Sequence, residues 1–123
     1  MAPTSPAQPT SRVLVPRLAL LGLLVIGAAA CSSGPDPLEA DPVATSSVDV
    51  DDNVFEPIAV EVAPGTEVTW TWVGSNDHNV VGDGFESELV TEGTFSHTFE
   101  DAGTVEYRCT IHPAMRGVVR VEG

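Results

Sequence analysis

Cys109, His112 and Met115 stand three residues apart in the run YRCTIHPAMRG, residues 107–117. A thiol, an imidazole and a thioether at that spacing could be three core residues on one helix face. Pro113 opposes this, because a helix interior tolerates proline poorly. Thr104, Val105, Tyr107, Thr110 and Ile111 favour extended chain. Cys109 is therefore expected to end a strand, a tight loop to follow, and Gly117 to begin the return strand. Such a loop brings all three side chains to one end of a β structure. Thiolate and thioether are soft ligands suited to Cu(I), zinc or iron–sulfur clusters, and imidazole suits copper and zinc. Structural zinc sites use Cys and His in closed tetrahedra, and a thioether is weak for zinc. Two imidazoles, one thiolate and a weak axial thioether make a blue-copper set, which here needs one more histidine.

The chain offers His78 and His97. His78 follows the turn residues GSND and opens a short strand, HNVV. It lies at a strand end, where it can meet the 109–115 loop at the same pole. His97 sits mid-strand in FSHTF, between two aromatic residues, with no turn beside it. The ligand is assigned to His78, and His97 is expected to be a packed or partly exposed strand residue. A nucleophilic reading, Cys109 with His112 as base, finds no orienting third group and no oxyanion hole. A saturated Cys, His, His, Met site also leaves no open coordination position for substrate. The chain is read as a non-enzyme.

The elements that must position these residues are strands. Apolar and polar residues alternate through Val48–Val50, Ile58–Val62 and Val68–Trp72, the signature of strands with one buried face. PGT (64–66), GSND (74–77), GDG (82–84) and EDAG (100–103) mark turns. Phe95 and Phe99 flank a further run. Val105, Tyr107 and Cys109 share one face of the next strand, and Val118–Val121 closes the chain. Six or seven short strands point to an antiparallel sandwich or barrel. Residues 84–93 read as an irregular crossover.

With these residues in view, the chain resembles the cupredoxins, small type 1 blue-copper proteins. TWTWVGSNDHNVVG is similar to the first-ligand region of halocyanins. YRCTIHPAMRGVVRVE resembles the ligand loop of amicyanins, with C-x2-H-x2-M spacing; plastocyanins have a longer gap before Met. The likeness covers about 48–123. It implies an all-β, Greek-key antiparallel β-sandwich and one type 1 copper ion. His78, Cys109 and His112 would form the trigonal plane, with Met115 as the long axial ligand. Asn79 resembles the cupredoxin Asn that ties the two ligand loops together. The chain departs from the family at Ile111 and Ala114, which are more often proline or aromatic, and at His97, where amicyanins commonly have an apolar residue. The implied function is electron transfer through Cu(I)/Cu(II) between redox protein donors and acceptors, such as a cytochrome, an oxidase or a dehydrogenase, by a monomeric carrier. The alternative is a copper-binding or delivery protein of the cell envelope. A delivery site is commonly rich in methionine, whereas Met115 is the single Met after the first residue.

The first 47 residues have a different character. Arg12 and Arg17 precede the apolar run Leu18–Ala30. This is too short for a spanning helix, which needs ~20 residues, and it fits a secretory h-region. Ala28–Ala30 before Cys31 resemble a lipoprotein signal, with Ala28 where Leu is usual. Residues 1–30 are expected to be a signal peptide, Cys31 to be lipidated, and 31–47 to be a flexible linker. Ser32–Ser47, rich in Ser, Pro, Asp and Ala, would span roughly 20–25 Å as a tether. The domain would then be 48–123, outside the cytoplasm and anchored to the cell membrane by the lipid. All 18 acidic residues follow Cys31, against three arginines and no lysine, a net charge of −15. That balance excludes nucleic acid as a partner. Cys109 is the only cysteine of 48–123 and so has no disulfide partner inside the domain, and a lone thiol in an oxidising compartment tends to persist where a metal occupies it.

Overall fold

The computed structural model describes residues 3–4 and 34–123. Apart from residues 3–4, the expected signal peptide and Cys31 lie outside the described residues. Ten strands follow in order: β1 (Val43–Ala44), β2 (Ser47–Asp51), β3 (Val54–Glu56), β4 (Ala59–Val62), β5 (Thr66–Trp72), β6 (Val81–Gly82), β7 (Phe85–Glu86), β8 (Thr94–Phe99), β9 (Gly103–Arg108) and β10 (Arg116–Val121). They form two sheets, ordered β1-β4-β10-β9-β6-β7 and β3-β2-β5-β8. The alternation seen in the sequence is the reason for both. In β5, Val68, Trp70 and Trp72 point inward, while Thr66, Thr69 and Thr71 are half-buried and Glu67 is exposed. Between the sheets lies one core built from Val48, Val50, Phe55, Val60, Trp70, Phe99, Tyr107 and Val119, with Cys109 and Met115 at its margin. Trp70 sits among Phe85, Phe95, Phe99 and Tyr107, with ring centroids 5.3–6.3 Å away.

Two expectations change. The sheets are mixed, not purely antiparallel. β1 with β4, β4 with β10, and β2 with β5 are parallel pairs, which arise because consecutive strands often cross to the other sheet. The ordered chain also begins before position 48. Val43–Ala44 pairs with Val60–Glu61, and Ser47 already belongs to β2. Further back, Asp36 organises a turn by accepting from the backbone of Leu38 and Glu39, and Pro37 is buried. The Arg120 guanidinium donates to the carbonyls of Leu38 (2.7 Å) and Ala40 (3.4 Å). Arg120 shares the outer face of β10 with Val118, by strand period. Residues 36–40 thus lie as a strap over that face. A composition rich in Pro, Asp and Ser hid this, because the strap is held by backbone carbonyls and buries few side chains of its own.

Candidate metal centre

Two loops at one pole of the sandwich supply the chemistry-bearing side chains. His78 is fixed first by its backbone. It pairs with Val90 in an isolated bridge, with His78 N–H to Val90 O at 3.0 Å and the reverse at 3.1 Å. The Trp72 indole N–H donates to its carbonyl at 3.0 Å. The second loop closes on itself. Met115 N–H donates to His112 O (2.8 Å), and Cys109 N–H donates to Met115 O (3.0 Å). This turn is what Pro113 and the return at Gly117 make possible. Asn79 joins the loops. Its Oδ1 accepts from Thr110 N–H at 2.8 Å, and its Nδ2 donates to Thr110 Oγ1 at 2.9 Å.

The result is that His78, Cys109 and His112 place one donor atom each within 4.8 Å of one another. Cys109 Sγ lies 3.9 Å from His78 Nδ1 and 3.6 Å from His112 Nδ1. A sulfur and a nitrogen bound to one ion at ~2.3 and ~2.0 Å, 120° apart, would be about 3.7 Å apart. Both sulfur–nitrogen spacings therefore fit donors on a single metal ion. Met115 and His78 are fully buried, Cys109 is buried, and His112 is half-buried beneath exposed Ile111, Pro113 and Ala114. His97 takes no part in this cluster. It faces Val68 across β5 and β8 and stacks on Phe85 with centroids 4.7 Å apart.

One residue at the site was not foreseen. Asp52, in the turn between β2 and β3, reaches across to the His78 loop. Its Oδ1 lies 3.0 Å from His78 Nε2. The same carboxylate accepts from the backbone of Ser75 and Asn76 and from the Ser75 hydroxyl. Gly74 makes the approach possible, since a β-carbon there would meet Asp52 Oδ1. The Asn76 backbone N–H, then His78, then Ser75 hold the Asp52 carboxyl well below its ordinary value. An ionised carboxylate only accepts, so the His78 proton is on Nε2 and the bare Nδ1 faces Cys109. This is the arrangement of a metal-binding histidine oriented by a carboxylate. A sequence signal was hardly available: Asp52 is one of three acidic residues in VDVDDN, and its partners are 23 to 26 positions away.

The family described as copper binding proteins, plastocyanin/azurin family, matches residues 43–122. The chain is a cupredoxin. This cupredoxin is 46% identical over 78 residues to a halocyanin of Natronomonas pharaonis, covering 55% of the chain and 48% of that protein. The chain thus spans about half the length of that halocyanin. It is 32% identical over 103 residues to amicyanin-alpha of Methylorubrum extorquens, covering 77% of the chain and 87% of that protein. The Cu(I) form of an amicyanin variant superimposes with a TM-score of 0.56 at 33% identity, covering 72% of this cupredoxin and 90% of that chain. One type 1 copper ion is the cofactor that the family and the donor geometry share.

Proposed function

We propose that this cupredoxin is a blue-copper electron carrier, tethered outside the cell membrane by a lipid on Cys31. It would exchange single electrons with redox proteins such as a cytochrome, an oxidase or a dehydrogenase. Copper would be held by Cys109, His78, His112 and Met115 and would supply the one-electron couple. The observation that carries the reading is the fit of three preorganised donors to one ion beside a buried thioether. Four protein ligands would leave no position for a substrate, which favours outer-sphere transfer over catalysis.

The chain's own residues do the rest. Cys109 binds as thiolate, so metal uptake releases a proton and weakens in acid. Asp52 and Val90 hold His78, and the Asn79–Thr110 link holds the second loop against the first. Keeping both loops in place limits movement between oxidation states. The half-buried edge of His112 is the natural exit for an electron, and exposed Ile111, Pro113 and Ala114 offer a small apolar rim for brief docking. Small, weak interfaces suit such encounters. The test is the visible spectrum of purified, copper-loaded protein. Strong blue colour that bleaches on reduction, and is lost in Cys109→Ser, is the expected result; a colourless Cu(II) form would sink the assignment.

A further inference from the structure

We infer that the N-terminal strap turns the ligand-loop pole toward the membrane, so that the electron partner is a redox protein embedded in that same membrane. The inference rests on the lipid anchor proposed at Cys31. Its geometric support is independent of it. The strap is fixed over β10 where Arg120 grips the carbonyls of Leu38 and Ala40. From there it climbs to the pole: a β-carbon built on Gly34 would stand 3.9 Å from the carbonyl oxygen of Ala114. Gly34, where the described stretch 34–123 starts, therefore lies close to the loop that carries His112 and Met115.

Cys31 is three residues before Gly34. Three residues, even fully extended, reach about 11 Å. A lipid on Cys31 is thus confined near the ligand loop, with a reach well short of the roughly 20–25 Å expected of a free 16-residue tether. The opposite pole, with the turns at 63–66 and 100–103, lies one strand length away, ~20 Å for six residues. The surface fits the same orientation. Ile111 is 48% exposed and Val73, at the end of β5, 52% exposed. Arg108 and Arg116 face each other in register beside Cys109 and Met115. Among the described residues neither has a carboxylate within 4.0 Å. The ligand loop next to the anchor thus carries an exposed apolar residue and two arginines without a close carboxylate, while the neighbouring 74–77 loop and the turn bound to it add the acids Asp77 and Asp52. A soluble protein has little access to His112 in this pose, whereas a membrane-embedded partner with its redox group at the surface meets it directly.

The experiment uses the lipidated protein purified from membranes, reduced to its diamagnetic Cu(I) form and reconstituted in phosphatidylcholine vesicles doped with a nickel-chelating lipid. A nitroxide is placed at Ala114→Cys or Ile111→Cys at the ligand pole, or at Glu100→Cys at the far pole. Retained blue colour after reoxidation shows that each variant is folded. Relaxation of the nitroxide by headgroup nickel is expected to be several times stronger at 114 and 111 than at 100. A long Gly/Ser spacer inserted between Ser33 and Gly34 is expected to erase the difference. Equal relaxation at both poles without the spacer, or stronger relaxation at 100, overturns the orientation. A mass spectrum of the membrane-purified chain without lipid on Cys31 overturns the anchor itself, a separate failure that leaves the electron-carrier reading standing.

Discussion

Removing the Asp52 side chain tests the metal site through a residue that does not touch the metal. Asp52→Ala takes away the acceptor for His78 Nε2–H and for the Ser75 and Asn76 backbone N–H groups at once. The His78 ring then loses the partner that sets its tautomer, and the 74–77 turn loses its centre. Changes to a carboxylate behind a ligating histidine typically cost 10–100-fold in metal affinity. Here the upper part of that range, about 30–100-fold, is expected, because one carboxylate orders both the ring and its loop. Asp52→Asn keeps an acceptor and the side-chain shape while removing the charge. It should fall near the lower end, about 10-fold, and should raise the copper reduction potential, since a nearby negative charge favours Cu(II). The assay is competition for Cu(I) against a chelator of known affinity, with voltammetry of the same samples. The carboxyl is held well below its ordinary value of 3.8. Its contribution is therefore present above that value and is lost only as pH falls far beneath it. The loss of affinity in Asp52→Ala, measured relative to wild type, should accordingly be the same at pH 6 and pH 8. Affinity within a factor of about three of wild type, well short of the usual cost, would refute the reasoning.

Three further outcomes follow from the packing. Gly117→Ala drives a β-carbon into the Tyr107 ring, an overpacking that should cost about 1–3 kcal/mol and lower the Tm of the metal-free protein by several degrees. No change in Tm would mean that the ring can step aside. Asn79→Ala removes the link to Thr110 and should cost about 1–2 kcal/mol in thermal unfolding, with faster copper loss to chelator; an unchanged loss rate would show that the loops hold without it. Glu61 is raised from 4.5 by its hydrogen bond with Glu122 and by that neighbour's charge. A carboxyl raised on folding stabilises least when it is ionised, so stability falls as pH climbs through its folded pKa. Glu61→Gln should then raise Tm slightly at pH 7 and not at pH 4. An equal change at both values would locate the effect elsewhere.

The metal-site candidates were legible because they are local. Three donors within seven residues need only a loop to converge, and Pro113 and Gly117 announce that loop. His78 could be preferred over His97 because turn residues precede one and aromatic strand residues flank the other. The longer strands were legible through alternation, most plainly Val68, Trp70 and Trp72. What escaped is what depends on distant partners. β1 and β7 are two residues long, too short to show a period. The parallel pairing of β2 with β5 is a property of topology that hydrophobic pattern does not encode. Asp52 is indistinguishable in sequence from the solvated acids beside it, and becomes special only when the β2–β3 turn meets the 74–77 loop. The strap escaped for the opposite reason: its composition reads as unstructured, yet a guanidinium from the far end of the chain clamps its carbonyls.

Trp72 donates its indole proton to the carbonyl of His78, while the Trp70 indole nitrogen is buried with no hydrogen-bond partner. The two chromophores thus stand in different surroundings, one hydrogen-bonded to the backbone beside the donor cluster and the other buried among Phe85, Phe95, Phe99 and Tyr107. Emission from Trp70 should be blue-shifted and narrow, because its tightly packed surroundings leave little free to relax around it, whereas Trp72 should dim when copper binds at the neighbouring donors. The molecule therefore contains both a reference lamp and a gauge, and the ratio of the two would report occupancy in real time without any attached dye.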